Sequence, residues 1–427
     1  MKKYFFWILI VSVSIIQAQN WKENIKNEIQ ALIKDPDLNH ARIGFCVLNA
    51  SSGKPLYEFN SQELLVPAST MKTLTTSTAL KILGKDYRYE TKLYYTGEFD
   101  EKSGSLNGNL VVLGSGDPSL GSAYFQKEND TVTDVEKEFV NAIIKKGIKK
   151  INGKIIADNS ALDNAIPLDW TWSDAGNYYG SPPNGLSFMD NKFKVFLSTG
   201  ETGSKAKIIK TDPSNLEFKL VNNVFAGKST DENVEILMVP GENAKIMDGL
   251  IPPNKKTYTL EGAITTPEIY FIKRLEELLK RNGVEFKLNE IRTEEQKKHI
   301  ITHYSPKLEK LVYYCNLKSN NHYAESLLRT IGMKQKGEGT TRSGILCAEE
   351  YWKKSGLDLD GLMMNDGSGL SRTNGITPFL QAQILHKTYN DSAVYKAFDI
   401  SLPVSGESGS LTSLGKGTCI EGKLRAK

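Results

Sequence analysis

Pro67-Ala68-Ser69-Thr70-Met71-Lys72-Thr73-Leu74 is the stretch on which the fold turns. A serine and a lysine three residues apart share one face of a helix, which brings the amine within reach of the hydroxyl. A lysine in an apolar setting can take the proton as that hydroxyl attacks a carbonyl. The spacing alone is common, since Ser51…Lys54, Ser204…Lys207 and Ser413…Lys416 repeat it. Context separates them. Met71, Leu74, Thr78 and Ile82 recur at helical spacing and Gly84 supplies a stop, which predicts a helix with Ser69 at its N-terminus. Unpaired N–H groups and the helix dipole favour negative charge there. Thr73, Thr75, Thr76, Ser77 and Thr78 are weak helix formers, so burial has to hold this helix together. The other three serines fall in a turn, a polar loop and a glycine-flanked segment.

The 427-residue chain is too long for one ordinary core, and two or three domains are expected. With 39% hydrophobic and 24% charged residues, its composition is globular. The net charge of +4 is small and dispersed, and no basic stripe is interleaved with aromatics, so no nucleic-acid partner is expected. Lys2-Lys3, an apolar run from Tyr4 to Ile16, and Gln17-Ala18 read as an export signal over residues 1–18. Ile16 is not an ideal residue ahead of the cut, which leaves an uncleaved anchor as the alternative. The mature chain is expected to be exported, periplasmic or otherwise outside the cytoplasmic membrane, with no later segment long enough to span it. Cys46, Cys315, Cys347 and Cys419 form no Cys-x-x-Cys, and both disulfides and free thiols are open to them. His40, His299, His303, His322 and His386 form no ligand pattern, so neither metal nor cofactor is expected.

Ala41–Asn49 and Pro55–Asn60 read as a hairpin turning at Ser51-Ser52-Gly53-Lys54. A glycine-punctuated, β-rich middle starts near Tyr87, with strands at Asn109–Leu113 and Lys154–Ala157 and an amphipathic helix around Thr133–Lys146. Gly114-Ser115-Gly116-Asp117-Pro118 lacks the ending of a phosphate loop and reads as a turn. Helices return at Thr266-Pro267, a cap followed by proline at N1, running to Asn282-Gly283, and near Asn321, where Tyr323, Leu327 and Ile331 share a face and Gly332 marks a stop. Gly422–Lys427 reads as the start of a strand. Helix-rich ends around a β-rich middle suggest one domain inserted into another.

A Ser/Lys hydrolase needs a second hydroxyl to relay the proton, an amide to hold substrate, a cation for its carboxylate and two N–H donors for the oxyanion. Ser319-Asn320-Asn321 offers the hydroxyl and the amide, with Ser319 also a candidate N-cap. The other Ser-x-Asn, Ser105-Leu106-Asn107, lies in a glycine-rich turn. The chain resembles the low-molecular-mass class C penicillin-binding proteins, which are D-alanyl-D-alanine carboxypeptidases/endopeptidases. The matching segments are Pro67–Lys72, Gly116-Asp117-Pro118-Ser119-Leu120, Lys318–Asn321 with Tyr323-Ala324-Glu325, Asp366–Arg372, Ser401-Leu402-Pro403-Val404 and Lys423–Lys427.

The resemblance implies an α/β, penicillin-binding/β-lactamase-like core with two β-rich domains inserted between Ser-x-x-Lys and Ser-x-Asn. It divides the chain into a peptidase domain at 20–86 and 263–427, one inserted domain at 87–160 and 236–262, and a second at 161–235. By the same resemblance Ser69 is the acylated nucleophile, Lys72 the general base and Ser319 the relay to the leaving amine. Asn321 binds the acyl-side peptide amide, and Lys427 attracts the substrate's terminal carboxylate. The implied partners are peptidoglycan stem peptides ending in D-Ala-D-Ala and, as covalent inhibitors, β-lactams. Asp366–Arg372 reads as a structural turn.

The sequence departs from the family at its end. Lys427 falls on the lysine of the Lys-Thr-Gly strand, and no Lys-Thr-Gly occurs in the chain. The core sheet is therefore expected to be incomplete. The second oxyanion N–H normally follows that glycine, and losing one such donor costs about 10²–10³ in rate. The expectation is a fragment of a longer protein, inactive when ended at Lys427. Two rival readings use the same residues: a β-lactamase or esterase of the same fold, and a non-catalytic module that binds cell-wall peptides.

Overall fold

A helix of threonines and serines forms only if its hydroxyls and its methyls both find partners, and here they do. In the computed structural model, which describes residues 21–127, 134–239, 241–287 and 296–427, every residue from Met71 to Leu80 of the Met71–Leu83 helix is buried. Thr76, Ser77 and Thr78 donate back to carbonyls three or four residues earlier, which satisfies them within the helix. Others reach outward. Thr75 Oγ1 donates to the Gly367 carbonyl at 2.6 Å, and Thr78 Oγ1 accepts from the Trp352 indole at 2.8 Å. Gly84, at φ 84°, ends the helix.

Among the described residues, five further helices surround this one: Leu308–Lys318, Asn321–Lys336, Thr341–Lys354, Pro378–Tyr389 and Tyr395–Ser401. Met71 and Leu74 pack with Leu328, Trp352 and Leu380, and Ala79 and Leu80 pack with Val312, Leu327 and Phe398. Outside this helical core lies the hairpin Phe45–Leu48 with Pro55–Phe59, two antiparallel strands. Leu65 and Ile376 exchange backbone hydrogen bonds nearby. The expected continuation of the sheet at Gly422–Lys427 is limited to a bridge between Val404 and Arg425, and no strand forms there.

Among the described residues, the β-rich middle holds two four-stranded and two three-stranded sheets. Leu110–Leu113 pairs in parallel with Ile155–Asp158, and Lys298–Tyr304 joins the same sheet beside Glu90–Tyr95. Strands Ala244–Ile251 and Tyr258–Ala263 pair with Lys219–Ala226 and Lys192–Ser198, so hydrogen bonding groups 236–262 with 192–226 rather than with 87–160. One apolar core, including Leu93, Val112, Phe139, Phe193, Met247 and Phe271, runs beneath these sheets. The amphipathic helix is Val135–Lys145, and Thr133 and the signal segment 1–18 lie outside the described residues.

Two helix ends differ from expectation. Thr266 precedes Pro267–Arg281 without a side-chain cap bond. Asn321–Lys336 runs through Gly332 and stops at Gly337, φ 75°. Gly332 serves packing instead: a Cβ there would come within 2.7 Å of the Gly344 nitrogen on the neighbouring helix. Among the described residues no helix is long and apolar enough to cross a membrane. All four cysteines are unbridged.

Candidate active site

Ser69 sits in a single 3-10 turn, Ala68–Thr70, that leads directly into the Met71–Leu83 helix. The turn is tight: Ala68 has φ 46°, and Gly369, at φ 79°, packs so close that a Cβ would lie 1.7 Å from the Ala68 carbonyl oxygen. A side chain at position 369 would displace the residue beside the serine.

Lys72 is fully buried, and its Nζ has three neighbours. Asn321 Oδ1 and the Ser368 carbonyl each accept from it at 2.6 Å, and Ser69 Oγ lies at 3.2 Å. A neutral amine has two N–H bonds and one lone pair. With both N–H bonds held by the shorter contacts, the lone pair faces the Ser69 hydroxyl. Burial pushes the amine down to about 8, against the opposing pull of Cys315, Glu325 and Asp366, so the neutral form is accessible near neutral pH.

Ser319 Oγ donates to Ser69 Oγ at 2.9 Å. The Leu308–Lys318 helix ends on Ser319 in the left-handed region, φ 56°, and the next helix begins two residues later. The N-cap is Asn320, whose side chain accepts from the Tyr323 N–H. Ser319 is therefore not the N-cap, and its hydroxyl is turned to Ser69.

Asn321 is engaged at both ends of its amide: Oδ1 takes Lys72, and Nδ2 donates to the Tyr179 carbonyl at 2.8 Å. Lysine only donates and a carbonyl only accepts, so the amide orientation is fixed. The second N–H on Nδ2 can meet a substrate carbonyl. Lys427 Nζ donates to the Asn316 carbonyl at 2.9 Å, at the end of the Leu308–Lys318 helix. Burial and the Lys72 charge push Lys427 down to about 8. Ser69, Lys72, Ser319 and Asn321 thus form one hydrogen-bonded group, and Lys427 lies near enough to Lys72 to feel its charge. Lys72 forms the floor, Ser69, Ser319 and Asn321 are only partly buried above it, and Lys427 is likewise partly buried.

Sequence reasoning missed the main-chain members. The Asp366–Arg372 turn is structural in that Asp366 accepts from the Gly369 and Ser371 N–H groups, the Asn374 amide and the Trp170 indole. It also supplies the Ser368 carbonyl to Lys72, a role no side-chain pattern encodes. Tyr179 and Trp170 bring the inserted segment up to the site wall. The competing Ser105 lies in a short strand and bonds Asn152, away from this constellation. Among the described residues no cluster of His, Cys, Asp and Glu could hold a metal ion.

A family model described as D-Ala-D-Ala carboxypeptidase 3 (S13) matches residues 25–427. The chain belongs to the D-Ala-D-Ala carboxypeptidase 3 (S13) family. Within that family it is 27% identical over 94% of its length to a D-alanyl-D-alanine carboxypeptidase of Actinomadura sp., covering 76% of that protein. It is 25% identical over 88% of its length to D-alanyl-D-alanine carboxypeptidase DacB of Haemophilus influenzae, again covering 76%. The crystal structure of penicillin binding protein 4 from Haemophilus influenzae superposes with a TM-score of 0.74 at 23% identity, over 90% of this chain and 83% of that one. The same protein complexed with a β-lactam gives a TM-score of 0.71 at 23% identity, over 90% of this chain and 82% of that one. The α/β fold of this family member is thus the penicillin-binding, β-lactamase-like one.

Proposed function

We propose that this protein is a serine-type D-Ala-D-Ala carboxypeptidase and endopeptidase acting on peptidoglycan stem peptides through an acyl-enzyme on Ser69. The observation that carries the reading is the Ser69 hydroxyl held between Lys72 Nζ at 3.2 Å and Ser319 Oγ at 2.9 Å. Lys72 takes the Ser69 proton as Oγ bonds the penultimate D-Ala carbonyl carbon. The C–N bond breaks as Ser319 passes its proton to the departing amine and takes the Lys72 proton in its place, which leaves Lys72 neutral, and free D-Ala leaves. Water then attacks the ester, the neutral Lys72 takes its proton, and that proton goes to the Ser69 oxygen as the ester C–O bond breaks, so both residues return to their starting state. The second N–H of Asn321 holds the acyl-side carbonyl, and Lys427 draws in the terminal carboxylate. With a cross-linked stem the same steps open the D-Ala bridge. A β-lactam presents its strained amide to Ser69 and stays as the ester. The substrate places the protein outside the cytoplasmic membrane.

The test is D-Ala release by the full-length protein from a pentapeptide ending in D-Ala-D-Ala, measured beside turnover of a β-lactam. D-Ala release that vanishes in Ser69→Ala is expected. Undiminished release by that variant would remove Ser69 as the nucleophile, and β-lactam turnover without peptide cleavage would favour a β-lactamase.

A further inference from the structure

Behind Lys72 lies a buried carboxylate that takes no part in the proposed reaction. Glu325, one turn into the Asn321–Lys336 helix, is fully buried. Its Oε1 accepts from the Gly367 N–H at 2.9 Å and the Ser368 N–H at 2.7 Å. The Ser368 carbonyl in turn accepts from Lys72. Glu325 Oε2 is buried with no hydrogen-bond partner among the described residues. A glutamine could clamp the same two N–H groups through its carbonyl oxygen with no buried charge. An unpaired carboxylate oxygen is costly to bury, so its charge calls for a reason.

The charged neighbours supply one. Lys72 faces Glu325 from the Met71–Leu83 helix, Asp366 and the Ser368 hydroxyl from the loop, Cys315 from the Leu308–Lys318 helix, and Arg329 from the next turn of its own helix. Arg329 is already bonded to Asp163 and to the Ala165 carbonyl. Lys72 is the cation that forms during the reaction, when the amine takes the Ser69 proton.

We propose that Glu325 is a positioning residue for the base: it fixes the Gly367–Ser368 peptide so that the Ser368 carbonyl holds one Lys72 N–H, and its charge stabilises the ammonium that catalysis creates. The inference rests on Lys72 acting as the base. Burial and Asp366 push Glu325 up to about 7, while the Ser368 and Gly367 hydrogen bonds and the Arg329 charge act the other way and favour the carboxylate.

The two contributions separate in two variants. Glu325→Gln keeps the clamp and removes the charge. Its second-order rate of acylation by benzylpenicillin, followed against pH in the full-length protein, should have an acid limb about one unit lower and a plateau about tenfold lower. Glu325→Ala also frees the loop, and its plateau should fall by about 10²-fold while non-covalent affinity for a D-Ala-D-Ala peptide changes little. If Glu325→Gln keeps the wild-type limb and plateau while Lys72→Ala is dead, the inference fails and the nucleophile-base reading stands. If Lys72→Ala acylates normally, the reading beneath it fails. Should Glu325→Ala not fold, the glutamine variant alone decides.

Discussion

Lys72 can act as a base only when its amine is neutral, so its environment sets the pH range of the enzyme. With the amine pushed down to about 8, acylation of Ser69 should rise with pH and level off above that point, which a stopped-flow pH profile with a chromogenic β-lactam would report. The same shift affects stability. Below about 8 the ammonium is buried in the fold and hydrated in the unfolded chain, a penalty that fades as pH rises from about 8 towards 10.5. Lys72→Arg should remain protonated at every accessible pH and lose about 10²–10⁴-fold in acylation rate. At this scale the side chains of the site were legible in the sequence because Ser, Lys and Asn carry their chemistry in their identity. The Ser368 and Tyr179 carbonyls were not, since any residue supplies a carbonyl and only the path of the chain aims it.

Helices are read from periodicity, and periodicity located most of them here, yet glycine misled at Gly332. In a sequence, glycine after an apolar face looks like a stop; in the structure it is the point where two helices touch. Gly332→Ala would gain about 1 kcal/mol of helix propensity. It would also push a Cβ to 2.7 Å from the Gly344 nitrogen and 2.8 Å from the Glu338 carbonyl oxygen, backbone atoms with little room to move. Overpacking of that kind costs about 1–3 kcal/mol, so the clash wins and urea denaturation should show a net loss of stability. The Ser319–Asn320 junction shows the complementary error. Either residue type can cap a helix, and only the left-handed φ of 56° at Ser319 hands the cap to Asn320 and the hydroxyl to Ser69.

Across the whole molecule, the inserted segment is tied to the site rather than hung from it. Trp170 donates to Asp366, Asp169 accepts from Ser371 and Thr373, and buried Arg329 bonds the Asp163 side chain and the Ala165 carbonyl. Arg329→Met would leave the Ala165 carbonyl without this donor. It should cost about 1–3 kcal/mol in thermal or urea unfolding, the lower end if water reaches the partly exposed Asp163. An inserted β-rich middle was readable from the order of elements along the chain. Which strands pair was not, because 236–262 and 285–304 carry no local mark of their partners and register is settled only when the faces meet.

The proposed reaction passes through one covalent bond, the ester on Ser69. The measurement that tests it most directly is intact and peptide mass spectrometry of the full-length protein incubated with benzylpenicillin. One adduct is expected, on the peptide containing Ser69, and none in Ser69→Ala. An adduct on another serine, or one that persists in that variant, would contradict it.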